Sequence, residues 1–161
     1  MTLRLRYGPH AGEAAVQVLL RDPQYCLWWL ADRPDSALAA VFQDLVQAFD
    51  AHVWVRPCSA CGRDAAQALA LAGTAELVPY CVACSRHGSA LRPAGVVCTY
   101  EDAVRHVAET CQRGHRVLMR RIILALARLK GAPERLTEVA SEAWLLSGLC
   151  YRATGSGRCG S

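Results

Sequence analysis

Residues 57–88 read PCSACGRDAAQALALAGTAELVPYCVACSRHG, in which Cys58/Cys61 and Cys81/Cys84 form two C-x2-C pairs with nineteen residues between them. That arrangement matches the spacing of a four-cysteine zinc site. A C-x2-C turn aims two sulfurs at one point, and two such turns facing each other complete a tetrahedron. Soft thiolates suit zinc, and four of them leave no coordination position for a substrate. The spacing therefore predicts a structural zinc ion held by Cys58, Cys61, Cys81 and Cys84, in a ribbon that covers residues 53–100.

Three other chemistries use paired cysteines. A single C-x2-C can be a redox pair, but two pairs at this distance argue against that. Four cysteines also hold iron–sulfur clusters, which the symmetric ribbon spacing ranks below zinc. Nine cysteines in 161 residues could form disulfides. The N-terminus, MTLRLRYGPH, has no charged stretch followed by a long apolar run that would direct export. The expectation is a cytoplasmic protein with reduced cysteines.

Apolar residues make up 53% of the chain and charged residues 20%, which describes a globular chain rather than a disordered one. No apolar run approaches the ~20 residues that span a bilayer, so no membrane partner is expected. The net charge of +4 is uneven. Residues 1–57 carry five basic against six acidic side chains, and residues 101–161 carry ten against six. The positive field belongs to the C-terminal third.

Hydrophobic periodicity predicts an α+β protein: a helical N-terminal segment (1–52), the central ribbon, a C-terminal helical layer (101–150) and a frayed tail (151–161). Residues 3–7 alternate as a short strand, and 13–20 suit a short helix. Asp22-Pro23 opens a second helix, with Asp as N-cap and Pro at the first position. Leu38, Val41, Phe42, Leu45, Val46 and Phe49 mark an amphipathic helix over 36–51. Within the ribbon, 52–56 alternate as a strand, 65–71 and 75–80 read as a hairpin around Gly73, and 96–100 as a third strand. The alanines of 65–71 leave a helix open there. Glu101-Asp102 open a helix that runs to about 112, and Gly114 breaks it. A helix over 115–130 and another over 133–146 complete the layer.

The segment YGPHAGEAAVQVLLRDPQYCLWWL resembles the small C-terminal-type domain of exodeoxyribonuclease X and of related short bacterial proteins. Gly8, Gly12, Asp22, Pro23, Tyr25 and Trp28 match that pattern. Pro9, His10 and Ala11 stand where the family's turn is typically lysine-rich. The resemblance implies a replication- or repair-associated setting. It brings no nuclease active site, which lies in a different domain of that enzyme. Tyr25, Trp28 and Trp29 read first as core, and second as a base-stacking platform.

Residues 115–130 read HRVLMRRIILALARLK. Leu118, Ile122, Ala125, Leu126 and Leu129 form one apolar face, and Arg113, Arg116, Arg120, Arg121, Arg128 and Lys130 surround it. No acid lies between Arg113 and Lys130. Such a stripe can be a solvated helix face, track the phosphates of a nucleic acid, or meet an acidic protein partner. Cys98, His106, Cys111 and His115 are a loosely spaced candidate for a second metal site. His87 reads as a surface turn, Cys26 and Cys150 as buried apolar residues, and Cys159 as a free thiol in the tail. No phosphate loop, dinucleotide fingerprint, nucleophile elbow or H-E-x-x-H motif is present. No small-molecule substrate suggests itself. The expectation is a non-catalytic, zinc-stabilised nucleic-acid-associated module, with a protein-binding adaptor as the alternative.

Overall fold

A computed structural model describes residues 3–86, 93–111 and 114–153. The architecture is α+β, with seven helices and one three-stranded antiparallel sheet among the described residues. In chain order the elements are α1 (Ala15–Arg21), α2 (Pro23–Asp32), α3 (Ala37–Ala51), β1 (Gln67–Leu71), β2 (Leu77–Tyr80), α4 (Val82–Arg86), β3 (Pro93–Val97), α5 (Tyr100–Thr110), α6 (His115–Leu129) and α7 (Glu138–Ala153).

The helix starts follow from side chains that satisfy free backbone N–H groups. Asp22 accepts from Tyr25 N at 3.2 Å ahead of α2, and Ser36 accepts from Ala39 N at 3.1 Å ahead of α3. Thr99 and Asp102 form a reciprocal capping box at α5. That box ends the third strand at Val97 rather than at Tyr100. Pro133 does not start the last helix. Thr137 takes that place, its hydroxyl accepting from Ala140 N at 3.2 Å, and α7 runs on through Ala153 where fraying was expected from Tyr151.

The main core draws on α1, α2, α3, α5, α6 and α7 together, with Ala70 of β1 and Val97 of β3 from the sheet. Tyr100 ties its parts together. Fully buried, it donates its hydroxyl to Leu19 O at 2.6 Å. Four residues after Leu19 stands Pro23, which has no N–H to give that carbonyl, so α5 supplies the missing donor. Gly148 of α7 lies against α3: a Cβ built there would sit 2.2 Å from Ala48 O and 2.8 Å from His52 Nε2. Only glycine lets these two backbones approach so closely.

The sheet has the order β2-β1-β3, and Gln67 pairs with Tyr80 while Leu69 pairs with Val78. The alanine-rich stretch is thus a strand, held between two partners that override its weak strand preference. Pro79 is tolerated because β2 is an edge strand. Gly73, at φ 69°, turns the hairpin. Two expected strands do not form. Residues 52–56 do alternate in burial, with Val53 and Val55 exposed and Trp54 half-buried, but they join no ladder. Val55 N instead donates to Leu129 O at 2.9 Å, at the end of α6. Residues 3–7 contribute a single bridge, Arg4 to Ala14. No described helix is long and apolar enough to cross a membrane.

Candidate metal centre and basic surface

The two cysteine turns are built differently. Residues 57–64 form a loop closed by a Pro57–Asp64 bridge, with Cys58 N donating to Arg63 O at 2.7 Å and Gly62 N to Cys58 O at 2.9 Å. Cys81 follows the last residue of β2, and Cys84 sits within α4, its N–H 3.5 Å from Cys81 Sγ. A hydrogen bond from Ser59 N to Pro79 O, 2.9 Å, docks the first turn onto the edge strand. Leu69 and Tyr80 pack with Cys58 in a small separate cluster beneath the site.

The four sulfurs lie within 4.8 Å of one another. A metal bound by thiolates at about 2.3 Å sets the sulfurs of a regular tetrahedron about 3.8 Å apart. Cys61 Sγ and Cys81 Sγ are 3.8 Å apart. That is much longer than a disulfide bond of about 2.05 Å, and none of the four ribbon cysteines is in a disulfide. The donor set and its spacing therefore fit a metal ion.

Electrostatics within the cluster lead the same way. Burial pushes the Cys58 thiol up, but N–H groups of Cys81, Ala60 and Cys61 outweigh it and bring it down to about 6. The Arg63 guanidinium, 3.5 Å from Cys61 Sγ, lowers Cys61 as well. Cys84 is pushed up to about 12 by its hydrogen bonds to Cys61 and Cys81. Four thiols this close resist ionising together. A bound cation removes that conflict, since a coordinated thiol is deprotonated outright.

The second candidate site does not assemble. Among the described residues the four ribbon cysteines are the only group of three or more possible ligands close enough to share an ion. Cys98, His106, Cys111 and His115 do not converge. His106 is instead a buried side chain whose Nδ1 lies 3.0 Å from the position of a Cβ on Gly95. Cys26 is fully buried, and burial raises its thiol well above the ordinary value. His87 and Cys159 fall outside the described residues, as does the side chain of Cys150.

The basic helix divides. Arg116, Arg120, Arg121 and Arg128 are all exposed on α6, and none forms an ion pair among the described residues. Arg113 lies outside the described residues. Lys130 does not belong to this surface. It is 4% exposed, and its Nζ donates to Asp50 O at 3.0 Å and His52 O at 3.3 Å while lying over the Trp54 ring. Charge counting placed Lys130 with the arginines; the backbone turns inward at the helix end and buries it. Of the N-terminal aromatics, Tyr25 and Trp29 pack against the core, whereas Trp28 is 48% exposed.

Comparison with known proteins found no matching family model, no matching curated protein and no matching solved structure.

Proposed function

We propose that this protein is a cytoplasmic, zinc-stabilised module that binds nucleic acid through the arginine face of α6 and carries out no reaction of its own. The observation that carries the reading is the set of four exposed arginines on one helix, with no carboxylate paired to them among the described residues. Guanidinium groups that are not engaged in this way are available to phosphate, and their binding releases counterions. The four-cysteine cluster supports zinc as the ion, because four soft donors in a tetrahedral set are its usual structural site. A closed four-thiolate site stabilises a fold and offers no open position for chemistry. The N-terminal similarity to the exodeoxyribonuclease X small domain adds a replication- or repair-associated setting to the proposal.

The test is a triple change of Arg116, Arg120 and Arg121 to Gln. Surface substitutions of this kind move stability by no more than ~0.5 kcal/mol each, so the variant should fold. In an anisotropy titration with single- and double-stranded oligonucleotides, it should bind more weakly across all sequences. The slope of affinity against salt should flatten by about one per lost phosphate contact. Failure of the wild type to bind either oligonucleotide at low salt would overturn the reading.

A second reading, a protein-binding adaptor, draws on an apolar groove between α1, α3 and α7. Leu3, Val41, Leu45 and Leu146 line it, and Asp44 and Glu142 edge it. Binding there would rest on apolar burial and change little with salt. Phosphate binding weakens steeply. A pull-down from nuclease-treated and untreated lysate separates the two.

A further inference from the structure

Arg120 and Arg128 are not the only guanidinium groups on their side of the molecule. They line a groove between α1 and α6 together with Arg21, from the last turn of α1, and Glu134, from the loop that follows α6. Arg120, Leu124 and Arg128 lie four residues apart, so they form one ridge along the helix, and Arg116 extends it by one more step. From Arg116 to Arg128 that ridge rises about 18 Å. Arg21 faces it from the other wall. Its nearest acid is Glu13, at 4.0 Å and with both side chains exposed, a contact too loose and wet to hold it.

We infer that this groove is a seat for a phosphodiester backbone, with Arg21 of α1 completing the contact that Arg120 and Arg128 of α6 begin. This rests on the nucleic-acid reading above and names where and how the strand lies. The groove holds about 190 Å³. That is below the ~300 Å³ of a small-molecule pocket, so it fits a phosphate and its hydration rather than a whole metabolite. The lining carries three guanidinium groups against one carboxylate, and planar guanidinium forks bind phosphate oxygens in pairs. Glu134 is the opposing charge. It moderates affinity by repelling an incoming phosphate.

Two variants test the seat. Arg21 is exposed and outside the set that defines the α6 face, and Arg21→Gln should fold normally by circular dichroism. Titrated against a labelled single-stranded oligothymidylate and a duplex of equal length, it should bind several-fold more weakly, and its salt slope should fall by about one. Glu134→Gln should shift affinity the other way, tightening binding several-fold. A long-chain inorganic polyphosphate should compete for the wild type and lose potency against Arg21→Gln, since the seat recognises phosphate itself. The inference is overturned if both variants bind as the wild type does while the α6 triple variant loses binding; the strand would then cross α6 without entering the groove, and the proposed function would stand. Absence of wild-type binding to either oligonucleotide overturns both.

Discussion

Lys130 is the residue whose environment departs furthest from its chemistry. A side chain that normally reaches into water is buried here, and its ammonium group is hydrogen-bonded to two main-chain carbonyls near the C-terminal end of α3. A buried cation persists only when its donors are satisfied and an opposite charge is near. The Asp50 carboxylate provides that charge and itself accepts from Tyr100 N at 2.7 Å. Lys130→Met keeps the apolar stem and removes the donors. It should cost about 2–4 kcal/mol in urea unfolding, through two orphaned carbonyls and a carboxylate left without its cation. Arg128→Met, two residues earlier on the exposed face, should cost no more than ~0.5 kcal/mol. Equal effects of the two changes would show that Lys130 holds nothing in place.

Among the elements, the ribbon depends most on something other than its own packing. Its small cluster contains three buried residues, Cys58, Leu69 and Tyr80, and β2 is short. A hairpin of that size is marginal in water. Metal binding contributes folding free energy to such modules. Metal analysis of the purified protein should find one zinc per chain. Chelation, or Cys61→Ser, should release it and unfold the ribbon first, seen as rapid amide exchange over 67–80 while α3 and α6 stay protected. A metal-free protein with unchanged protection there would remove zinc from the account. Acidification should release the ion too, because protons compete with it for the thiolates.

Stability of the whole molecule should carry the mark of Asp50. Burial pushes its carboxyl up from 3.8 to about 6, against the pull of Tyr100 N–H and Lys130. The folded state therefore binds more protons than the unfolded state between about pH 4 and 6. In that window stability falls as pH rises, and the loss is complete above the folded value. His52 works in the opposite sense, since burial lowers its imidazole and stability is regained as pH rises toward 6.5. Comparison with Asp50→Asn isolates the carboxyl, because the amide oxygen can still accept from Tyr100 N–H. The wild type should lose about 1–3 kcal/mol relative to this variant between pH 4 and 7. A constant difference across that range would mean that Asp50 titrates as an exposed carboxylate.

The sequence by itself determined the cysteine cluster, because C-x2-C spacing dictates where the sulfurs point before any tertiary contact forms. It determined the amphipathic helices as well. Leu38 to Phe49 and Leu118 to Leu129 repeat at the helical period; on α3 the marked Phe42 and Phe49 are buried, whereas the buried face of α6 is Met119, Ile122, Ile123, Leu126 and Ala127, turned from the marked one and sharing only Ile122 and Leu126 with it. The start of α5 was also legible, since Thr99 and Asp102 have the spacing of a capping box, although strand alternation in 96–100 concealed it. Tertiary structure decided the rest. Residues 52–56 alternate correctly yet remain outside any sheet, because a strand needs a partner and this one found the end of α6. Lys130 went inward because carbonyls of residues 50 and 52 waited there, 80 and 78 positions away in the chain. Arg21 joined Arg120 and Arg128 across a groove for the same reason. Local patterns report the periodicity of a face; which distant group meets it depends on how the elements pack.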